Sequence, residues 1–519
     1  MEQVNDLRSH LASLERFGLL RHVVQEVDKD TELSSLMRWV YMGFGEEKRF
    51  AIIFDNVKSY SIPVVAGAIG ASYKTYAVGL GVDPLRPRAE VMKEVRQTWI
   101  RALDAPLPPT LVDTGPCKEN IITGKDVDIH KFPIPVWTPT KDRNWDRGFG
   151  FLTSPYHITK DPETGSRNVG TYRNMTREEP NLMGICVFPG SHIWQHVVKN
   201  ERNGKPTQIA TVLGADPAIG MASTTDVPYG VDELAIAGAL RGRPVELVRC
   251  ETVDLEVPAT AEIVIEGRLL PPQERPYEEE APFGEYTGYE GAARLGPVYE
   301  ITCITHRNNP IYQAFISEMP PSESSKLRHV SFEALTLRQL RTLGIPGIID
   351  INMPETAQGA VTIVSIRKMN SGHPARVAAA IFSVLQPRYG KFVIVTDDDV
   401  DIYDLDNVFW AMAFRTSMAP NRRQIRFIEG LMAQGLDYSA TSSLSDLESR
   451  IDYPSDGVLI DATRPYKPYP VVSLPPMEYL LKARDKWEQC GLPSLDKTDL
   501  PRSVIVEEEY LREGIAKRL

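Results

Sequence analysis

Leu7, Leu11 and Leu14 recur at helical spacing near the start of the chain, and Gly18 stands where such a helix would end. The run RFAIIF at 49–54 is apolar after its arginine and reads as a buried strand. Val91, Val95 and Trp99 mark a second amphipathic helix, which must stop before the proline-rich APLPP segment at 105–109. Residues 1–120 therefore read as an N-terminal α/β region.

Beyond residue 119 the pattern changes to short apolar runs, at 208–213, 245–250, 261–265, 298–304 and 312–316, interrupted by one helix at 231–240. Such strands at irregular spacing between Gly and Pro turns predict a split-barrel-like β domain over 121–322. A long amphipathic helix is expected at 324–343, closed by Gly344 and Pro346. A strand at 360–368, a helix at 374–385 and a strand at 391–396 follow, with Pro374 suited to the first helical position. A proline-rich stretch at 465–476 reads as extended. The expected fold class is thus multidomain α/β (α+β), with residues 323–519 forming a linker helix and a C-terminal α/β domain for oligomerisation.

Composition narrows the class. The chain has 519 residues, of which 42% are hydrophobic and 24% charged, enough for two or three cored domains and too apolar for general disorder. With 58 basic against 69 acidic side chains the net charge is −11, which argues against nucleic acid as the main partner. No apolar stretch nears the roughly 18 residues of a membrane span, and the first residues show neither the basic start nor the apolar core of a signal peptide. Cys117, Cys186, Cys250, Cys303 and Cys490 form no CxxC pair, so a reducing, cytoplasmic setting is expected.

Several familiar chemistries lack their motifs. GAIGAS at 67–72 and GLG at 79–81 do not make a dinucleotide fingerprint, and no P-loop, GxSxG or HExxH occurs. The acidic run TDDDVDIYD at 396–404 fails as a calcium loop, because Ile402 and Val408 occupy the required Gly and Glu positions. It reads as a solvated loop that caps a helix near Asp406. His192 and His196, four apart, would share a helix face. That spacing can hold zinc, but without a nearby Cys, one of the pair sharing a hard cation with oxygen ligands fits better.

Two segments carry more. In EEEAPFGEYTGY (278–289), Glu280 and Glu285 flank a Pro-Phe-Gly turn, so one rigid loop delivers two carboxylates. Neighbouring carboxylates push their pKa values apart, which suits one for proton transfer and the other for orientation. The alternative is a solvated acidic loop, where Glu278 and Glu279 are expected in any case. In DPETGSRNVGTYRNM (161–175), NVGTYR alternates like a strand, and Asn168 and Arg173 fall on opposite faces unless a turn or bulge intervenes. An edge strand with an ordinary surface arginine is the alternative.

NVGTYR, ADPA at 215–218, VPATAEIVIEG at 257–267 and APFGEYTGY at 281–289 occur together in this order. With them the chain resembles, over nearly its whole length, the UbiD family of decarboxylases, which use prenylated FMN. The resemblance implies Arg173, Glu280 and Glu285 as the catalytic trio. It implies Asn168, His192 and Glu233 as ligands to a divalent metal, usually Mn²⁺, that bridges to the cofactor phosphate, with K⁺ as a further cation. Ser191 and Ser223 then line the cofactor and Lys391 contacts its phosphate. Ala281, where many relatives have Gly, and Ser191, where some have Gln, are departures; the second weakens an analogy to acrylic-acid relatives.

The implied chemistry suits the residue types. Loss of CO₂ from an sp² carbon leaves a charge that no side chain can stabilise, so an organic electron sink is needed. Arg173 would hold the substrate carboxylate, Glu280 would orient Arg173, and Glu285 would deliver the proton that replaces CO₂. The expectation is a reversible, non-oxidative decarboxylase of an aromatic or heteroaromatic acid, a homo-oligomer (dimer or hexamer) whose cofactor comes from a flavin prenyltransferase. The alternatives are a cinnamate-type acrylic acid as substrate, a flavin-binding scaffold without turnover, or a metal-dependent hydrolase using His192 and His196.

Overall fold

The computed structural model describes residues 4–137, 149–291, 293–384, 390–422, 424–432, 454–465, 470, 472–495 and 500–512. Its architecture is mixed α/β and multidomain, in two compact units, Met1–Ala334 and Leu335–Leu519.

The first unit begins as the periodicity predicts. Helix Leu7–Arg16 is capped by Asp6 and buries Leu7, Leu11 and Leu14, and Gly18 follows with a left-handed backbone. Strand Ala51–Phe54 is buried throughout and lies between Leu20–Val23 and Val64–Ala66. Helix Arg88–Asp104 buries Val91, Val95 and Trp99. The strand expected at 312–316 is only Tyr312–Gln313, and it joins this N-terminal sheet beside Val64–Ala66 instead of the β domain. An apolar run reports that a strand is buried, not which sheet buries it.

The central sheet has nine strands. The main path runs Phe151–Leu152, Asn174–Thr176, Leu182–Ile185, Val298–His306, Ile263–Leu269, Thr207–Leu213, Tyr156–Lys160 and Arg167–Thr171, and Asn120–Thr123 pairs with Val298–His306 off that path. Arg167–Thr171 and Asn174–Thr176 are thus last and second in the order, which in a flat sheet puts them about 29 Å apart at ~4.8 Å per strand. Only Tyr172 and Arg173 connect them, a reach of about 11 Å. The sheet must curl, and Arg173 sits where its two ends approach.

Among the described residues three α-helices interrupt these strands, not one: His192–Arg202, Pro217–Ala222 and Glu233–Arg241. The first buries only Ile193, His196 and Val197, and the second has six residues, so neither leaves a readable apolar period. The long helix is Glu323–Thr342, and the expected amphipathic pattern is absent from its first part. Glu323, Lys326 and Glu333 are all buried, each against a partner: Glu323 on backbone amides, Lys326 on Glu46, Glu333 on Arg96. Charged residues with buried partners do not mark a solvent face.

The second unit holds a five-stranded sheet in the order Ile348–Asn352, Val361–Ile366, Phe392–Asp397, Pro454–Ala462, Ile425–Met432. Its three central strands are parallel, and helix His373–Val384 connects the first two of them, with Pro374 in its first turn. Residue 385 lies outside the described residues, as do 466–469 and 471 of the proline-rich stretch. That stretch leads into helices Met477–Trp487 and Arg502–Arg512. Asp404 caps helix Leu405–Arg415, as expected. The acidic run is not solvated, however. Asp398 and Asp399 are buried, and Asp399 receives both terminal nitrogens of Arg415 at 2.8 Å and one of Arg464 at 2.6 Å. Paired cations let carboxylates leave water. Among the described residues no helix is long and apolar enough to cross a membrane.

Candidate functional site

Arg173 leaves the curled sheet in the two-residue link after Arg167–Thr171, so the anticipated turn does separate it from Asn168. Its side chain is buried and meets both carboxylates of the 278–289 loop. Nε and Nη2 donate to Glu280 Oε1 and Oε2 at 3.0 and 2.9 Å, and Nη1 donates to Glu285 Oε1 at 2.7 Å. Glu280 ends strand Glu278–Glu280, paired with Arg294–Gly296, so Glu278 and Glu279 belong to a strand and not to a loop. Phe283 is buried between the two carboxylates. Its ring lies 5.1 Å from the Arg173 guanidinium and 4.8 Å from Phe151, so it forms a floor under the charge. The turn is tied by Gly291 N to Phe283 O at 2.9 Å and Glu285 N to Tyr289 O at 2.8 Å. A Cβ at Gly291 would stand 3.0 Å from Glu285 Cγ, so glycine there gives the carboxylate its room.

Charge in this cluster is governed by burial and by Arg173. Burial alone would raise the Glu285 pKa, yet the Arg173 guanidinium, aided by Arg294 and Arg328, outweighs it and holds the carboxyl below its usual range. Burial would likewise weaken the arginine's charge, but neighbouring groups, Glu280 and Glu285 among them, keep Arg173 firmly cationic. The Cys186 thiol beside them is pushed up to about 12, chiefly by burial, and stays neutral.

A second cluster uses the same strand. Asn168 is buried on Arg167–Thr171, and the neighbouring Val169 N donates to Glu233 Oε2 at 2.8 Å. Glu233 opens helix Glu233–Arg241, and His192 opens helix His192–Arg202 behind the capping Ser191. His192 Nδ1 and Glu233 Oε1 are 3.9 Å apart, too far for a hydrogen bond. Burial pushes Glu233 up to about 8, and the Asn168 amide nitrogen is buried without a partner among the described residues. A carboxylate, an imidazole and an amide that ligates through its oxygen are donor types suited to a divalent cation with mainly oxygen ligands. Among the described residues no cluster of three or more His, Cys, Asp or Glu side chains is placed to hold a metal, so a cation here draws on Asn168 as well.

His196 shares the helix face with His192 but turns to Thr159, Nδ1 to Oγ1 at 2.9 Å. Ser223 bonds Thr171 Oγ1 at 2.8 Å, which ties it to the strand that carries Asn168. Lys391 belongs to the second unit, where its carbonyl accepts from Val458 N at 2.8 Å. Within the first unit the fold therefore gathers Arg173 with Glu280 and Glu285, and Asn168 with His192 and Glu233.

Tyr229 was not legible. Its ring stands edge-on to His192 and His196, at 5.2 and 5.9 Å, and its hydroxyl bonds Asp161. The only sequence signal is a Pro-Tyr-Gly turn shortly before Glu233. Phe283 lay inside a recognised segment but read as turn filler.

Comparison with known proteins gives these clusters a class. Three domain models match in chain order: the 3-octaprenyl-4-hydroxybenzoate carboxy-lyase N-terminal domain over residues 11–95, its Rift-related domain over 110–320 and its C-terminal domain over 329–462. The protein is a carboxy-lyase, a decarboxylase in its chemistry. It belongs to the UbiD family. An uncharacterised protein of Archaeoglobus fulgidus is 34% identical over 450 residues, 84% of this chain and 88% of that one. The UbiD-class enzyme HmfF of Pelotomaculum thermopropionicum, in complex with FMN, superposes with a TM-score of 0.78 at 32% identity over 91% of this chain and 98% of its own. An evolved dimeric form of HmfF, in complex with prFMN, gives 0.76 at 32% identity over 92% and 98%. The closed form of Sedimentibacter hydroxybenzoicus vanillic acid decarboxylase gives 0.77 at 28% identity over the full length of both chains.

Proposed function

We propose that the chain reversibly and non-oxidatively decarboxylates an aromatic or heteroaromatic carboxylic acid with prenylated FMN. One observation carries this reading: a buried arginine bonded to two carboxylates, one through a two-point grip and the other through Nη1 alone. When bound, prenylated FMN supplies the electron sink that an sp² carbon needs as it loses CO₂. Asn168, His192 and Glu233 would hold a divalent ion such as Mn²⁺, with K⁺ as a further cation and Ser191 and Ser223 as contacts to the cofactor.

The chain's own residues do the rest. Glu280 holds the Nε edge of Arg173 and so fixes the plane of the guanidinium. The substrate carboxylate competes with Glu285 for Nη1, and a charge-assisted pair orients the bond that breaks. Glu285, released from its cation but still buried, takes up a proton, because burial penalises its charged form. It then delivers that proton from Oε to the carbon that lost CO₂. The working state is a cytoplasmic homo-oligomer, dimer or hexamer, supplied by a flavin prenyltransferase.

The test is co-expression with a flavin prenyltransferase, followed by mass spectrometry of the bound cofactor and assay of aromatic acids for CO₂ release. Bound prenylated flavin with turnover supports the reading. Protein that takes up no flavin under those conditions contradicts it.

A further inference from the structure

Asn168, His192 and Glu233 sit on three different elements, and their sequence neighbours fasten two of these together. Arg167, just before Asn168, donates to Asp232 Oδ2 at 2.6 Å, and Asp232 stands just before Glu233. Val169, just after Asn168, donates its backbone N–H to Glu233 Oε2 at 2.8 Å. Strand Arg167–Thr171 and helix Glu233–Arg241 are thus joined at the site itself. Helix His192–Arg202 is not joined there, since His192 Nδ1 stops 3.9 Å from Glu233 Oε1.

That helix is fastened about two turns further along, at Asp161. Asp161 is buried and opens the turn between strands Tyr156–Lys160 and Arg167–Thr171. Its Oδ1 accepts from Glu163 N at 2.8 Å, inside the turn. Its Oδ2 accepts from Lys199 Nζ at 2.6 Å and from the Tyr229 hydroxyl. Lys199 belongs to the helix of His192, and Tyr229 to the loop that leads into Glu233. One buried carboxylate therefore links the three elements that carry Asn168, His192 and Glu233. Lys199 Nζ also lies 5.6 Å from the centre of the Tyr229 ring, so ammonium, ring and carboxylate close on one another.

Tyr229 carries this junction to the site. A metal-bound imidazole usually has its orientation fixed by a hydrogen bond from its second ring nitrogen. The His192 ring forms no such bond among the described residues. What meets it is the Tyr229 ring, 5.2 Å away with 89° between the planes, a favoured edge-on geometry. The tyrosine is itself held at its hydroxyl by Asp161. We infer that Tyr229 is a positioning residue for the cation site, that it orients His192, and that Asp161 anchors it. This rests on the reading of Asn168, His192 and Glu233 as cation ligands.

The probe is Mn²⁺, titrated into chelator-treated protein with FMN present throughout, and the free ion is read by electron paramagnetic resonance. Tyr229→Leu should weaken Mn²⁺ binding by about 10–100-fold, the usual effect of removing a group that orients a ligand. Tyr229→Phe keeps the ring and loses the anchor, so a smaller weakening is expected, with an altered spectrum of the bound ion. His196→Ala, on the same helix, should bind Mn²⁺ as the wild type does. Thermal unfolding of the metal-free proteins separates orientation from folding. A lower Tm in Tyr229→Leu with unchanged Mn²⁺ affinity overturns the positioning role, and wild-type affinity and spectrum in Tyr229→Phe overturn the anchor. Should Tyr229→Leu fail to fold, Tyr229→Phe decides alone. The ligand reading fails separately, if the wild type binds no Mn²⁺ or if His192→Ala binds it equally well.

Discussion

Glu280 holds Arg173 edge-on, Oε1 to Nε at 3.0 Å and Oε2 to Nη2 at 2.9 Å, and leaves only Nη1 for any other anion. A two-point contact of this kind fixes a plane, whereas the single contact to Glu285 does not. Glu280→Gln keeps the volume but loses the charge and puts a donor against one of the arginine nitrogens. Because small misplacement of a clamp is costly, kcat/KM should fall by roughly 10²-fold or more. Steady-state kinetics on variant enzyme with verified flavin content provides the check.

Proton uptake should accompany substrate binding. In the resting site Arg173 keeps Glu285 ionised against the opposing effect of burial. Once the anionic substrate takes that cation, burial and the added negative charge are opposed only by the weaker pull of Arg294 and Arg328, so the pKa rises and proton uptake accompanies binding. The sign follows: affinity weakens as pH climbs above the raised value. Calorimetric titration in buffers of different ionisation enthalpy reads the proton directly, and proton release on binding would refute the exchange.

The two histidines of helix His192–Arg202 should behave differently. His192 faces Glu233 across a 3.9 Å gap suited to an ion, while His196 Nδ1 is taken by Thr159 at 2.9 Å. His192→Ala is expected to lose both metal and flavin, and His196→Ala to keep them, as measured by elemental analysis and absorbance of purified protein. The reverse pattern would put the cation on the wrong histidine.

Much of this was legible because burial and periodicity coincide. Leu7, Leu11, Leu14, Val91, Val95 and Trp99 face the core where their spacing puts them. The trio was visible as residue types in two segments, but their meeting was not. Asn168 and Arg173 have opposite parity, and only the turn at Tyr172 and the curl of the sheet bring Arg173 to Glu280 and Glu285. The acidic run misled for a related reason: nothing local to Asp399 announces Arg415 and Arg464, nor to Asp398 its partners Arg367 and Tyr510.

Glu323 offers a test of stability apart from catalysis. It is fully buried, and its carboxylate accepts from Gly67 N at 2.8 Å, Ile69 N at 2.9 Å and Gly70 N at 3.1 Å. A Cβ at Gly70 would lie 2.7 Å from the Glu323 carbonyl oxygen, so the loop can close on the helix only with glycine there. Glu323→Ala strands three buried amides, and at ~1–3 kcal/mol for each the first unit should lose about 3 kcal/mol or more. A clear drop in Tm or in the urea midpoint is expected, and Gly70→Ala should also destabilise.

The central claim is that Glu285 protonates the carbon that lost CO₂ in a prenylated-FMN-dependent decarboxylation. Turnover of an accepted aromatic acid in D₂O, with wild type and Glu285→Gln side by side and flavin and metal occupancy matched, addresses it most directly. The wild type should place one deuterium at that carbon. Glu285→Gln has nearly the same shape but no carboxylic proton, and its turnover should fall by about 10²–10⁴-fold, the usual contribution of a positioned acid. Near-normal deuterated product from the Gln variant would contradict the claim and assign the proton to another group.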